Sequence, residues 1–107
     1  MPDSEFRVVL CTFPSTRLAG EVARTLVTER LAACVNISEV VSVYSWKDEL
    51  QNEPEALAII KTSARNFEAL AQRIDELHPY EVPEVIALPV LEGHATYLAW
   101  LAENTRS

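Results

Sequence analysis

The side chains of this 107-residue chain best suited to soft-metal chemistry are two thiols and two imidazoles, at Cys11, Cys34, His78 and His94. A thiolate together with an imidazole can hold Cu(I) or zinc. None of the four is close to another along the chain, so any site has to be assembled by the fold. His78 opens the stretch His78-Pro79-Tyr80-Glu81-Val82-Pro83-Glu84, which adds a phenol and two carboxylates. Its prolines keep it stiff and extended, because each pushes the preceding residue, His78 or Val82, out of helical geometry. The stretch is either a rigid corner of the fold or the edge of a site. No nucleophile elbow, glycine-rich phosphate loop or metalloprotease motif accompanies it, so nothing specific supports an enzyme or an organic cofactor.

The elements that must position these groups follow from periodicity. Phe6 to Thr12 is a β-rich run halted by Phe13-Pro14-Ser15, with Ser15 as a helix cap. A helix from about Ser15 to Arg30 then places Leu18, Ala19, Val22, Ala23, Leu26 and Val27 on one side. Gly20 within it suggests close packing against a sheet. The next strand puts Val35, Ile37, Val41 and Val43 on one face and Asn36, Ser38, Ser42 and Tyr44 on the other. Val40 breaks that alternation and suggests a bulge, or a second face covered by something else. Lys47 to Pro54 reads as a polar hairpin tip, with the return strand at about Ala56 to Thr62. A hairpin this long is expected to extend past its own sheet, and its edge invites pairing with another chain. Thr62-Ser63 caps a second helix carrying Phe67, Leu70, Ala71, Ile74 and Leu77, with His78 one position beyond that stripe. Val85 to Leu88 reads as a fully covered strand ended by Pro89. Gly93 precedes a last helix from Ala95 to Glu103, and His94 reads as a solvated residue at its start.

Composition narrows the function classes. Sixteen acidic residues against nine basic ones leave a net charge of -7, which repels nucleic-acid phosphates and anionic lipid. The start, Met1-Pro2-Asp3-Ser4-Glu5, lacks the pattern of a secretion signal, and no apolar run reaches the ~20 residues that span a bilayer. The expectation is a soluble intracellular protein, one domain over residues 1–107, with Cys11 and Cys34 as free thiols.

The order strand, helix, strand, strand, helix, strand is that of a ferredoxin-like split βαβ domain, an α+β fold with an antiparallel sheet, helices on one face and here an added C-terminal helix. Strand direction then brings Cys11, Ser15, Tyr44, Trp46, the hairpin tip and the His78 to Glu84 corner to one end, called here the upper end. Cys34, Lys61 and Thr62 fall at the other. Since the fourth strand pairs with the first in this topology, Cys11 and His78 become neighbours.

Several segments carry a resemblance: Val9-Leu10-Cys11-Thr12, Glu29-Arg30-Leu31-Ala32-Ala33-Cys34-Val35-Asn36, Tyr44-Ser45-Trp46, Glu53, Lys61-Thr62, His78 to Glu84 and Tyr97-Leu98-Ala99-Trp100. In this order and spacing, over nearly the whole chain, they resemble the CutA divalent-cation-tolerance family. The resemblance implies a very stable homotrimer similar to the PII signalling proteins, with strands paired between subunits. It also implies a cytoplasmic role in tolerance to copper and other divalent cations.

Two readings of the chemistry stand side by side. In the first, Cys11 and His78 bind copper or another divalent cation, with Glu81 and Glu84 as additional ligands. Family members are described as binding copper through a thiol and histidines in these places, and Leu77 stands where some of them carry a further histidine. In the second, Cys11 is a small buried strand residue and His78 a helix-end residue donating to a carbonyl. Glu53, Lys61, Tyr80, Glu81 and Glu84 read as an interface set, and Tyr44, Trp46, Tyr97 and Trp100 as packing and interface anchors. An alternative without a metal role is a PII-like sensing or scaffold trimer whose cleft near the hairpin takes a small anion or a partner protein.

Overall fold

Eight residues, Phe6–Phe13, form β1 in the middle of a four-stranded antiparallel sheet, whose order is β2 (Cys34–Trp46), β3 (Glu49–Ser63), β1, β4 (Ile86–Pro89). The computed structural model describes residues 4–107, so Met1, Pro2 and Asp3 of the N-terminal stretch fall outside it. After β1 come α1 (Thr16–Thr28), β2 (Cys34–Trp46), β3 (Glu49–Ser63), a 3-10 turn (Ala64–Asn66), α2 (Phe67–Leu77), β4 (Ile86–Pro89) and α3 (Ala95–Glu103). This is the ferredoxin-like order with an added helix.

The core lies between the sheet and helices α1 and α2. Val9, Cys11 and Phe13 of β1 pair with Ile60, Ala58 and Ala56 of β3, and all six are buried. Against them pack Ala19, Val22 and Leu26 of α1 and Leu70 and Ile74 of α2, which are the expected stripes. Val27, also expected on the α1 stripe, is instead exposed, at 41%. Ser15 caps α1 as its sequence position suggested, its hydroxyl accepting from the Leu18 amide at 3.1 Å. The other end of α1 turns at Arg30, whose φ of 61° is left-handed; its amide bonds Val27 and that of Leu31 bonds Leu26.

Several local expectations are corrected. Thr62 and Ser63 belong to β3, and α2 starts after the 3-10 turn; Thr62 donates its hydroxyl to the Leu31 carbonyl at 2.6 Å. A Cβ at Gly20 would meet nothing within 4 Å, so close packing does not explain this glycine. β2 and β3 pair without a slip from Cys34 with Lys61 to Trp46 with Glu49, so Val40 marks no bulge. It faces Glu55 across the ladder and belongs to the second face of the sheet.

The polar run taken as the hairpin tip is mostly strand. Lys47 and Asp48 alone make the turn, both at positive φ (52° and 65°), the geometry of a two-residue turn that matches strand twist. Glu49 to Glu55 therefore belongs to β3, and the arm reaches well beyond the core: Val41, Val43 and Leu50 are exposed. β4 is likewise not fully covered. Ala87 packs on the core, whereas Ile86 and Leu88 are about half exposed on the opposite face, 51% and 49%. By register these two join Leu10 and Val8 of β1. Leu57 and Ile59 of β3 lie on the same face, and none of the four central residues is buried there. An apolar second face thus runs across the sheet.

Candidate functional site

The corner begins where α2 stops. His78 is the C-cap residue, extended at φ -84°, and its amide still bonds the Ile74 carbonyl at 2.8 Å. β4 has left the ladder before it reaches the upper half of β1, so the Thr12 carbonyl is free to accept from a side chain. His78 Nε2 takes that place, donating to Thr12 O at 2.7 Å, while Nδ1 accepts the Tyr80 amide at 3.1 Å. These two partners fix the tautomer with the proton on Nε2. The ring stacks on Phe13 at 4.6 Å between centroids and meets Tyr80 at the same separation. Cys11 Sγ lies 3.8 Å from the same Thr12 oxygen. Cys11 and His78 are therefore brought together, as strand direction suggested, around one carbonyl.

Beyond His78 the link borders a cleft of about 740 Å³ on the second face of the sheet. Tyr44 and Trp46 of the hairpin form one wall, and Pro79, Tyr80, Glu81, Val82 and Glu84 the other. Glu55 lies at its base, only 8% exposed, and accepts from the Tyr80 hydroxyl at 2.5 Å. Burial, followed by this bond to Glu55, pushes the Tyr80 phenol well above its usual range. Burial is also the main cause that pushes the Cys11 thiol up to about 12, reinforced by the carboxylates of Glu84 and Glu55. Glu53, on the same face of β3, is exposed, as is much of Trp100, which packs against Tyr97 on α3. At the lower end Cys34 sits across from Lys61, and both cysteines are free thiols.

Comparison with known proteins decides the family. The model of the family described as "CutA1 divalent ion tolerance protein" matches residues 7–104. The chain belongs to the CutA1 family. It is 50% identical over 99 residues to the divalent-cation tolerance protein CutA of Thermus thermophilus, covering 92% of this chain and 96% of that one. It is 45% identical over 97 residues to human protein CutA, covering 90% of this chain and 54% of the human protein. Among solved structures, the stable CutA1 of the psychrotrophic bacterium Shewanella sp. SIB1 superposes with a TM-score of 0.95 at 36% identity, over 99% of this chain and 100% of that one.

A cation is implied by the CutA1 family description, so the donor set matters. As arranged, it does not fit a metal. The Nε2 of His78 carries a proton and its Nδ1 lone pair is engaged, leaving the ring no free donor electrons. The Cys11 thiol is fully buried and held neutral at physiological pH, whereas a metal takes the thiolate. Glu81 and Glu84 line the cleft, and no group of three or more His, Cys, Asp or Glu side chains among the described residues could hold an ion. The cleft is also lined by carboxylates and not by cations, which disfavours the small anion of the alternative reading.

Two contributors to this CutA1 site escape the sequence reading. The Thr12 carbonyl has no side-chain signature. Glu55 falls between the expected tip and the expected return strand and is assigned to neither, although it stands two and four residues before Leu57 and Ile59 and so shares their face.

Proposed function

We propose that this chain acts in tolerance to divalent metal cations as a homotrimer in the cytoplasm, without catalysing a reaction. The observation carrying this reading is the apolar second face, Val8, Leu10, Leu57, Ile59, Ile86 and Leu88, beside a hairpin arm that overhangs the core. Apolar surface of this extent on a small domain calls for a partner, and closed homo-oligomers are the usual solution. The number three comes from the family resemblance. Tyr44, Trp46, Glu53, Tyr80 and Trp100 would then lie at or near subunit contacts. Two free thiols support a reducing compartment.

Copper-like cations are, on this reading, bound weakly. Binding at Cys11 and His78 has to deprotonate the thiol and break the ring's bonds to Thr12 or Tyr80. The reading is tested by native mass measurement combined with titration of the reduced protein with copper. A trimer that dissociates in Leu88→Asp without loss of secondary structure, and a copper Kd weaker than about 1 μM, are the expected results. A solitary subunit at all concentrations, or nanomolar binding lost in both Cys11→Ala and His78→Ala, would overturn it.

A further inference from the structure

The cleft beneath the hairpin carries a charge arrangement that neither the fold nor cation tolerance accounts for. Glu55 is nine-tenths buried, yet among the described residues its one side-chain partner is the Tyr80 hydroxyl, and no Lys, Arg or His pairs with it. Glu81 and Glu84 are likewise absent from the ion pairs among the described residues, which join Arg17 with Glu21 and Arg73 with Glu29 and Glu76. A buried carboxylate left without a counter-charge is costly, and a cation entering the cleft relieves that cost. A volume of about 740 Å³ suits an organic molecule and far exceeds a bare ion. The dispersal of the carboxylates, too wide for one metal centre, points the same way.

The walls specify the cation further. Tyr44, Trp46 and Tyr80 line the same space as the carboxylates, and aromatic rings attract ammonium groups over their faces. Trp46 already receives one: the Lys47 ammonium stands 5.7 Å from its ring centroid. Separated negative charges interleaved with rings match separated ammonium groups on an alkyl chain. The net charge of -7 draws such a ligand in. We propose that the cleft formed by Glu55, Glu81, Glu84, Tyr44, Trp46 and Tyr80 is a binding site for a linear polyamine. This proposal uses neither Cys11 nor His78 and so does not depend on the metal reading; it requires that the cleft stay open in the trimer, where Tyr44, Trp46 and Tyr80 border the subunit contacts.

The test is titration of the assembled full-length protein with spermidine at about 0.1 M salt, where diffuse attraction is screened beyond ~10 Å. Heat and tryptophan emission are read together, and a Trp46→Phe variant identifies the part of the emission change that arises in the cleft. The expected result is saturation at one ligand per chain, with putrescine weaker than spermidine and 1,8-octanediol, which is uncharged, not binding. Glu55→Gln should weaken binding about 10-fold or more. Glu81→Gln, in the exposed link and safe for folding, should weaken it several-fold. Glu68→Gln on the outer surface of α2 removes the same charge and should change nothing. Equal effects of Glu81→Gln and Glu68→Gln, or a diol that binds as well as the amine, would overturn the proposal. So would the absence of saturation, as expected if a neighbouring subunit fills the cleft. Loss of copper binding or of the trimer would leave these comparisons interpretable, since each is made within one assembly state.

Discussion

His78 Nε2 donates to the Thr12 carbonyl across the gap left by β4, 66 residues away in sequence, and Nδ1 receives the Tyr80 amide. The imidazole thereby joins the end of α2, the upper half of β1 and the start of the proline link. Truncation to His78→Ala removes both bonds and the stack on Phe13, and leaves the Thr12 oxygen only the weak Cys11 thiol as a side-chain donor. The expected loss is about 2 to 4 kcal/mol per chain, from two hydrogen bonds of about 1 kcal/mol each and a cavity. It is read as a lower guanidinium midpoint with unchanged slope. No loss would mean that the ring is replaceable by water.

The alkaline limb of stability should be unusually steep. The Cys11 thiol is pushed up to about 12 from an ordinary 9.0, and the phenols of Tyr80 and Tyr97 are also raised, each chiefly by burial. An acid whose folded pKa lies above its unfolded value contributes stability that is complete below the unfolded value and lost as pH rises towards the folded one. For Cys11 that window runs from pH 9 to 12. Denaturation midpoints should therefore be flat between pH 7 and 9 and fall above it, and Cys11→Ala should make the fall shallower. The native Cys11 should also resist alkylation at pH 8, a point that mass mapping of labelled peptides checks.

Gly20→Ala should stabilise the protein. Gly20 sits within α1 without positive φ, and a Cβ there meets nothing within 4 Å. Alanine restricts the unfolded chain and favours the helix by about 0.5 to 1 kcal/mol. A thermal midpoint that rises is the expected outcome; a fall would show that the position meets another subunit.

Much of this fold was legible because the core-facing residues follow simple periods. Ser15 caps α1 as its residue type suggested, and the α1 positions Ala19, Val22 and Leu26 and the α2 positions Leu70 and Ile74 lie where three-and-four spacing put them. The meeting of Cys11 with His78 followed from strand direction and the pairing of the fourth strand with the first. The first half of β3 was not legible for a physical reason. Between Glu49 and Glu55 the strand lies largely beyond its own helices, so neither face needs to be apolar and the two-residue alternation that betrays a strand is missing. The half-open state of β4 was hidden by the reverse effect, since an apolar run reads as fully covered whether the second cover is the same chain or another. The clamp on Thr12 was invisible because a main-chain oxygen leaves no trace in residue type.

β3 serves the core with Ala56, Ala58 and Ile60 and the arm with Glu49 to Glu55, in one unbroken register with β2. Side chains alternate across a strand, so removing or inserting one residue in either half of the arm would invert every position beyond it, up to the buried alanines, unless a bulge absorbed the change. Natural variation in the arm's reach is therefore expected to come as paired insertions or deletions, one on each side of the Lys47-Asp48 turn, which shorten or extend the ladder by whole rungs and leave the core untouched.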